Sequence, residues 1–138
     1  MQVQPYLFFS GRCEEAMAFY GEALGAQVTY KMRFNEAPDQ EGSAAMPQEW
    51  GEKIMHANVT MGENEVMMSD GMPGMPAQTF TGFSMSVTAK TLAEAQQRFD
   101  ALSVGGQPMM PLQKTFWTEG FGMVQDKFGV PWMVNVVE

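Results

Sequence analysis

Residues 5–26, PYLFFSGRCEEAMAFYGEALGA, contain the change of hydrophobic period that decides the fold of this chain. The first part belongs to a β-branched and aromatic run, which predicts a strand over residues 3–9 that ends at a Ser-Gly turn. From Glu14 onward, apolar residues recur at three- and four-residue spacing and predict an amphipathic helix over about residues 13–24. Gly25 follows and readily takes the left-handed conformation that ends helices.

Three further strands are predicted in the first half of the chain. They cover about residues 26–34, 54–61 and 64–69, and a Gly-containing turn joins the last two as a hairpin. Residues 35–53 form a polar loop rich in Glu, Gln, Pro and Gly, with Trp50 among charged residues. Loops of this length inside compact domains are usually functional or disordered, so a lid, a partner-binding element and disorder all stay open.

The second half repeats the same plan. Residues 81–88 alternate between apolar side chains and small or polar ones, which predicts a strand with one buried face. Thr91 and Glu94 form a capping box that opens a second helix, and Gly105-Gly106 are placed to end it. Three strands complete this half, near residues 107–117, 121–126 and 131–137.

The sequence therefore predicts an α+β chain made of two tandem βαβββ modules. The first spans about residues 1–70, a Pro- and Gly-containing connector spans 70–79, and the second module spans about 80–138. One module alone exposes a sheet face and buries little surface, so the two modules are expected to combine in a single domain.

Composition narrows the range of functions. The net charge of −8, with scattered Lys and Arg residues, argues against a nucleic acid partner. No apolar run approaches the roughly 20 residues of a membrane span, and the N-terminus does not resemble a secretion signal, so a soluble, cytoplasmic protein without a membrane partner is expected. The single Cys13 excludes an internal disulfide and is expected to be inert.

Four segments, in this order and spacing, resemble the PhnB-like branch of the glyoxalase/bleomycin-resistance/dioxygenase superfamily, also called the vicinal oxygen chelate superfamily. They are residues 5–26 quoted above, IMHANVTMGENEVMMSD at 54–70, WTEGFG at 117–122 and QDKFGVPWMVNVVE at 125–138.

The resemblance implies mixed, curved sheets with helices on the outer face, each module forming a cup with a small-molecule cavity, and commonly a homodimer. In catalytic members of the superfamily, His, Gln or Glu side chains from the first and last strands of each module hold a divalent metal that acts as a Lewis acid.

At those ligand positions this sequence departs from the family pattern. The closing glutamate falls at Met133, and its first-module equivalent falls at Met67 or Met68. A thioether does not replace a carboxylate for a hard divalent ion. The histidine position of the fifth strand falls near Gly82, and only Gln4 offers a plausible ligand. Neither a metal nor another cofactor is therefore expected.

Strand alternation suggests which residues line a pocket. His56, the only histidine, shares a strand face with Asn58 and Thr60. It is either a general base or polar contact inside the cup, or a hydrogen-bonded partner within the strand face. The pocket candidates are Gln4, His56, Asn58, Met67, Ser84, Trp117, Met133 and Asn135.

For three aromatic residues and two aspartates, the sequence allows both a structural and a functional interpretation. Trp117, Phe121 and Trp132 fit an aromatic pocket lining, although core packing is favoured for both tryptophans. Asp70 and Asp126 follow strands and fit turn-forming carboxylates better than a catalytic pair.

Three functions follow from these observations. The favoured one is a metal-free cup that binds an unidentified small organic molecule, within a homodimer. The alternatives are a divalent-metal-dependent lyase, isomerase or dioxygenase, and a dimeric interaction protein without ligand chemistry. Some relatives carry a methyltransferase label, but the sequence has no Gly-rich strand-to-helix turn for a nucleoside cofactor. The sequence identifies no catalytic residues and does not decide whether the protein is an enzyme.

Overall fold

The computed structural model describes residues 1–37, 47–77 and 79–137, and the chain divides into two compact units, Met1–Gln78 and Thr79–Glu138. Each unit contains one long helix and a four-stranded sheet in the chain order βαβββ, and we refer to the units as the first and second modules. The α+β fold class with two tandem βαβββ modules is confirmed. The expectation that both modules form one domain stays a prediction.

In the first module the sheet has the strand order β1-β4-β3-β2. Strand β1 runs parallel to β4, and the other neighbouring strands are antiparallel. Two short 3-10 helices lie at the ends of the predicted loop, whose residues 38–46 lie outside the described residues. The elements are β1 Tyr6–Phe8, α1 Cys13–Leu24, β2 Gln27–Arg33, β3 Ile54–Met61 and β4 Asn64–Ser69, with the 3-10 helices at Phe34–Glu36 and Gln48–Glu52.

Helix α1 forms over the predicted residues because one of its sides is apolar. Ala16 and Tyr20 on that side are fully buried. Glu14 lies in the first turn, where a negative charge suits the positive end of the helix dipole. Gly25 ends the helix in the left-handed conformation at φ 72°, and its N–H donates to the carbonyl oxygen of Gly21 at 3.1 Å.

The second module repeats this arrangement with the strand order β5-β8-β7-β6. Strand β5 runs parallel to β8, and the remaining pairs are antiparallel. The elements are β5 Met85–Ala89, α2 Leu92–Ser103, β6 Gln107–Gln113, β7 Phe121–Gln125 and β8 Pro131–Val136.

Helix α2 begins at the predicted capping box. The backbone N–H of Glu94 donates to the Thr91 hydroxyl at 3.1 Å, and the Glu94 carboxylate accepts from the N–H of Lys90 at 3.1 Å. The helix ends earlier than predicted, at Ser103, because Val104 already has extended backbone. Within the described residues, no helix has the length and apolar character needed to cross a membrane.

Three strands are shorter than the sequence predicts by more than one residue at an end. Strand β1 covers Tyr6–Phe8 rather than residues 3–9. Strand β5 begins at Met85 rather than at residue 81, and Gly82 before it has a positive φ of 81° that is incompatible with extended strand backbone. Strand β6 ends at Gln113 rather than at residue 117. It is an edge strand, which suits its Pro108 and Pro111, since proline has no N–H to donate to a neighbouring strand.

Each sheet has one buried face and one face that is more exposed. Alternate side chains are buried on the helix side, and burial of such an aliphatic side chain contributes roughly 1.5–3 kcal/mol. The other side of each sheet, which we call its open face, carries the side chains that alternate with the buried ones. The buried residues include Leu7, Ala57, Val59, Val66 and Met68 in the first sheet, and Ala89, Gly122, Val124, Trp132, Val134 and Val136 in the second.

Candidate functional site

The open face of the first sheet gathers polar and aromatic side chains. Strand alternation places Tyr6 and Phe8 of β1 there, together with His56 and Asn58 of β3. Met67 of β4 lies between these strands, opposite Tyr6 on one side and Asn58 on the other. The register therefore brings together three predicted pocket residues, His56, Asn58 and Met67.

Three of these side chains form a continuous hydrogen-bonded line. The Tyr6 hydroxyl oxygen lies 2.7 Å from Nδ1 of His56. Nε2 of His56 lies 2.5 Å from Oδ1 of Asn58. We call this arrangement the Tyr6–His56–Asn58 line. It satisfies both ring nitrogens of the imidazole and fixes the orientation of the ring on the sheet face.

Aromatic rings surround the line. Tyr6 stacks on Phe8 with ring centroids 4.9 Å apart and an interplanar angle of 13°. Tyr30 of β2, opposite Asn58, approaches the His56 ring at 6.3 Å between centroids. Tyr6, Phe8 and Tyr30 are 38%, 41% and 47% exposed. Several partly exposed rings next to oriented polar groups are typical of a surface that binds organic molecules.

The environment also keeps the Tyr6 phenol in its neutral form. Burial raises the pKa of Tyr6 above its ordinary value of 10.0, because the phenolate loses hydration there. The hydroxyl therefore retains its proton at neutral pH and can donate it in a hydrogen bond.

The second sheet has the same register and different chemistry on its open face. Met133 of β8 lies between strands β5 and β7, as Met67 of β4 lies between β1 and β3. These two registers define equivalent positions in the two modules. The pairs, first module then second, are Tyr6 and Ser86, Asn58 and Met123, His56 and Phe121, and Met67 and Met133.

Two other predicted pocket residues belong to the second module. Asn135 lies on the open face of β8, opposite Thr88 and Phe121. Its side-chain oxygen is buried and has no hydrogen-bond partner within the described part of the chain. Ser84 is half-buried and precedes β5 rather than belonging to it. Both stay candidates, and neither is part of a polar line like that of the first module.

The two tryptophans have opposite environments. Trp132 is a core residue as predicted, only 3% exposed, and its Nε1–H donates to the Asp126 carboxylate at 2.9 Å. Trp117 is 55% exposed, so the preference for core packing was wrong there. It lies in the loop before β7, where an edge contact with Phe121, at 5.4 Å between centroids, holds it beside the strand.

The side chains at the predicted metal-ligand positions do not fit the divalent metal of the catalytic family members. In residues 1–37, 47–77 and 79–137, no three His, Cys, Asp or Glu side chains form a group suited to a metal ion. Met67 and Met133 occupy the last-strand positions, while Met68 is fully buried on the helix side. Gly82 lies before β5 and Gln4 before β1. Thioethers do not replace carboxylates for hard ions.

The two buried carboxylates have structural roles in separate modules. The oxygens of Asp70 accept from the backbone N–H groups of Cys13 at 2.8 Å and Ile54 at 2.7 Å. Asp126 accepts from two N–H groups of its own turn, at 2.9 and 3.0 Å, in addition to the Trp132 indole. The Asp126 contacts agree with the turn interpretation. That interpretation was wrong for Asp70, whose carboxylate joins the first N–H of α1 to the start of β3. Cys13 is fully buried, and burial, followed by the nearby Asp70 charge, raises the pKa of its thiol.

A charged cleft lies elsewhere in the first module, where α1, the end of β2 and the second 3-10 helix meet. Its volume is about 190 Å³, below the roughly 300 Å³ at which pockets for drug-sized ligands begin. Glu14 and Arg33 on its wall form an ion pair at 2.5 Å, and the hydrogen bond from Arg33 lowers the pKa of Glu14. None of the predicted pocket residues lines this cleft, and the charges of Glu14, Arg33 and Lys53 on its wall are bound by neighbouring groups of the chain.

The tyrosines of the open face were missed from the sequence. Alternation in YLF already placed Tyr6 and Phe8 on one face of β1. The missing information was the pairing of β1 with β4 and of β4 with β3, which brings Tyr6 next to His56 across 50 residues of chain. Tyr30 was hidden in the same way, because β2 has irregularities that break a simple alternation.

The chain matches a known protein family over nearly its whole length. The family described as Glyoxalase/Bleomycin resistance protein/Dioxygenase superfamily matches residues 2–134. Protein YjdN from Escherichia coli strain K12 is 41% identical over 143 aligned positions, which cover 100% of this chain and 97% of YjdN.

Solved structures agree with the sequence matches. The crystal structure of protein PA1353 from Pseudomonas aeruginosa is 40% identical and superposes with a TM-score of 0.85 over 99% of this chain and 97% of that one. The PhnB protein from Bacillus cereus is 25% identical, with a TM-score of 0.80 over 99% of this chain and 100% of its own. These likenesses extend over both modules.

Proposed function

The chain belongs to the PhnB-like branch of the Glyoxalase/Bleomycin resistance protein/Dioxygenase superfamily, and on that premise we propose that it binds a small organic molecule without a metal ion. The proposed binding surface is the open face of the first sheet, with His56 at its centre and Met67 beside it. Gln4 is kept as a candidate contact at the start of β1. Ser84, Trp117, Met133 and Asn135 are kept as candidate contacts of a more apolar surface on the second module.

The observation that carries the proposal is the Tyr6–His56–Asn58 line within a set of partly exposed rings. Ligand sites combine apolar or aromatic surface with a few oriented polar groups. The stacked rings of Tyr6 and Phe8 supply the surface, and the imidazole held at both nitrogens supplies the orientation. A ligand with a flat apolar body and one or two polar atoms suits such a face.

The hydrogen bonds at the N-termini of α1 and α2 also bear on the class of ligand. The first N–H of α1 is bound to the Asp70 carboxylate, and α2 is capped by the Thr91 hydroxyl. Helix N-termini are common cradles for phosphate groups, but here a carboxylate and a hydroxyl take that role. An uncharged organic ligand therefore suits the chain better than a nucleotide or a phosphonate.

A fragment-binding experiment on metal-depleted protein tests the proposal. We expect the full-length chain, after treatment with EDTA, to bind neutral aromatic fragments, with binding detected by saturation-transfer NMR. Replacing His56 by Ala should weaken this binding, because the ring that orients the polar groups is lost.

Thr60→Val is the matched control. Thr60 lies on the same face of β3, but its hydroxyl is bound to the backbone oxygen of Gln27 at 3.3 Å. This variant should bind fragments like the parent protein. Fragment binding that occurs only after addition of a divalent metal would contradict the proposal and favour the metal-dependent alternative.

We further propose that the chain forms a homodimer, as members of this superfamily commonly do. Large apolar side chains at the surface support this, since Phe116 is 98% exposed and Met109 is 62% exposed. Sedimentation equilibrium should give twice the chain mass of 15.3 kDa, and a mass of one chain would contradict it.

A further inference from the structure

We infer that the open face of the first sheet selects a neutral planar ring carrying an O–H or N–H group, and that Tyr6 accepts the hydrogen bond from this group. The inference rests on the proposed function and adds the chemical class of the ligand. Its basis is the direction of the hydrogen bonds along the Tyr6–His56–Asn58 line.

The direction of the line is set by Asn58. A side-chain amide oxygen only accepts hydrogen bonds, so Nε2 of His56, at 2.5 Å from Oδ1 of Asn58, carries a proton. In a neutral imidazole the other nitrogen is then an acceptor. Nδ1 therefore accepts from the Tyr6 hydroxyl, which lies 2.7 Å away. Asn58 thus fixes the tautomer of His56, and His56 fixes the direction of the hydroxyl hydrogen.

This direction decides what Tyr6 offers to a ligand. A phenol has one hydrogen to donate and oxygen lone pairs to accept with. The hydrogen is engaged by His56, so Tyr6 offers only lone pairs. One lone pair can accept from the neighbouring Ser69 hydroxyl, and a ligand that uses the other must bring the donor. The Asn58 side-chain nitrogen makes no hydrogen bond within the described residues, so it supplies an N–H donor for a second, accepting atom of the same ligand.

The surroundings favour a flat and uncharged ligand. Tyr6 and Phe8 stack nearly parallel, and a further ring can pack on their partly exposed surface. Within the described residues, the open-face side chains beside the line are uncharged: Phe8, Tyr30, Met32 and Met67. Glu65 lies one step further along, opposite Thr60. A charged ligand would therefore lose hydration without gaining a partner.

The first test reads the tautomer directly. Because the chain contains one histidine, nitrogen-15 labelling of histidine gives imidazole signals from His56 alone. Near neutral pH and without ligand, we expect the signals of a ring protonated at Nε2 and unprotonated at Nδ1. Tyr6→Phe should shift the Nδ1 signal. A ring protonated at Nδ1 would reverse the line and overturn the inference.

The second test compares 2-naphthol with 2-methoxynaphthalene by equilibrium dialysis against the full-length protein. Both probes present the same flat ring system, and only 2-naphthol has a hydrogen to donate. One hydrogen bond to Tyr6 should make 2-naphthol bind about fivefold to tenfold more tightly. Tyr6→Phe should remove this preference, because the phenylalanine ring has no oxygen to accept the hydrogen bond from 2-naphthol.

Substitution of His56 tests whether this residue orients the Tyr6 hydroxyl or only contacts the ligand. In His56→Phe the Tyr6 hydroxyl hydrogen is released and can donate to the ether oxygen of 2-methoxynaphthalene, so the preference for 2-naphthol should fall. Thr60→Val should keep the parent preference, because its hydroxyl is bound to the sheet backbone.

The outcomes distinguish the inference from the proposed function. Equal binding of both probes, unaffected by Tyr6→Phe, would overturn the inference and leave the proposed function standing. Binding of neither probe, together with failure of the fragment experiment, would overturn both.

Discussion

The two modules have one framework and two different open faces. In both, the first strand runs parallel to the last, the helix packs on one side, and a Met occupies the middle of the last strand. On the open face, however, the first module has Tyr6, Asn58 and His56 where the second has Ser86, Met123 and Phe121.

This difference shows that the two faces of a strand serve different purposes. Residues on the helix side alternate as apolar side chains in both modules because they form the core. The intervening residues are free of that requirement, so one sheet carries a hydrogen-bonded polar line and the other carries Met and Phe side chains. The fold is therefore repeated while the candidate site is not.

The largest expected effect is the loss of stability when the buried carboxylate of each module is removed. Asp126→Ala removes the carboxylate that accepts from three donors, one of them the Trp132 indole, and should lower the free energy of unfolding by about 3 kcal/mol or more. Asp70→Ala removes the acceptor of two donors and should cost about 2 kcal/mol. Urea unfolding of the full-length chain measures both.

Asp100→Ala is the control, since Asp100 is exposed on α2 and should change stability by less than about 0.5 kcal/mol. Equal losses for Asp70 and Asp126 would show that the number of hydrogen bonds does not distinguish the modules.

The second prediction concerns the packing of helix against sheet. Gly122 and Ala57 occupy equivalent positions on the helix side of β7 and β3. A Cβ at Gly122 would lie 2.8 Å from the Phe99 ring and 3.0 Å from the Leu112 backbone. Gly122→Ala should therefore destabilise the chain by about 1–3 kcal/mol through overpacking. Thermal unfolding followed by circular dichroism tests this, and an unchanged midpoint would show that Phe99 adjusts freely.

The third prediction exchanges open-face residues between modules. His56→Phe combined with Asn58→Met gives the first module the side chains of the second at these positions. Fragment binding to the metal-depleted protein should fall about tenfold or more, since the oriented polar groups are lost. The free energy of unfolding should change by less than about 1 kcal/mol, because both residues are only half-buried. If the variant unfolds at the parent's midpoint and still binds fragments with the parent's affinity, the binding site does not lie on this face.

The smallest expected effect concerns the ion pair between α1 and β2. Arg33 lowers the pKa of Glu14 below the ordinary 4.5, so the pair stabilises the folded chain at neutral pH and loses this effect as pH falls through the lowered pKa. Glu14→Gln should cost about 0.3–0.5 kcal/mol at pH 7, because the Glu14 side chain is 58% exposed, and less in acid. Glu22→Gln, on the same helix, is the control for urea unfolding at both pH values. A loss that persists unchanged in acid would contradict this account.

Sequence patterns predicted the framework well for physical reasons. The strands at residues 54–61 and 64–69 and the helix at 13–24 have the predicted bounds, because alternation, turn residues and a terminal Gly25 act locally. The start of β5 and the end of β6 were predicted less well. Gly82 has a positive φ within the predicted β5, and β6 is followed by a turn in which the N–H of Thr115 donates to the Thr118 carbonyl at 3.0 Å.

The candidate site was only partly predictable. His56 and Asn58 are two residues apart on one strand, so alternation alone placed them together. Tyr6 joins them only through the pairing of β1, β4 and β3, which depends on the tertiary fold. The exposure of Trp117 likewise depends on the loop before β7 and not on the hydrophobicity of the residue.

The most direct test of the account is a titration of metal-depleted protein with 2-naphthol, observed through the imidazole signals of His56. We expect saturable shifts of these signals in the presence of EDTA, with no change in affinity when zinc, nickel, manganese or iron is supplied instead. Signals that stay unmoved, or that move only after a metal is added, would contradict a metal-free binding face centred on the Tyr6–His56–Asn58 line.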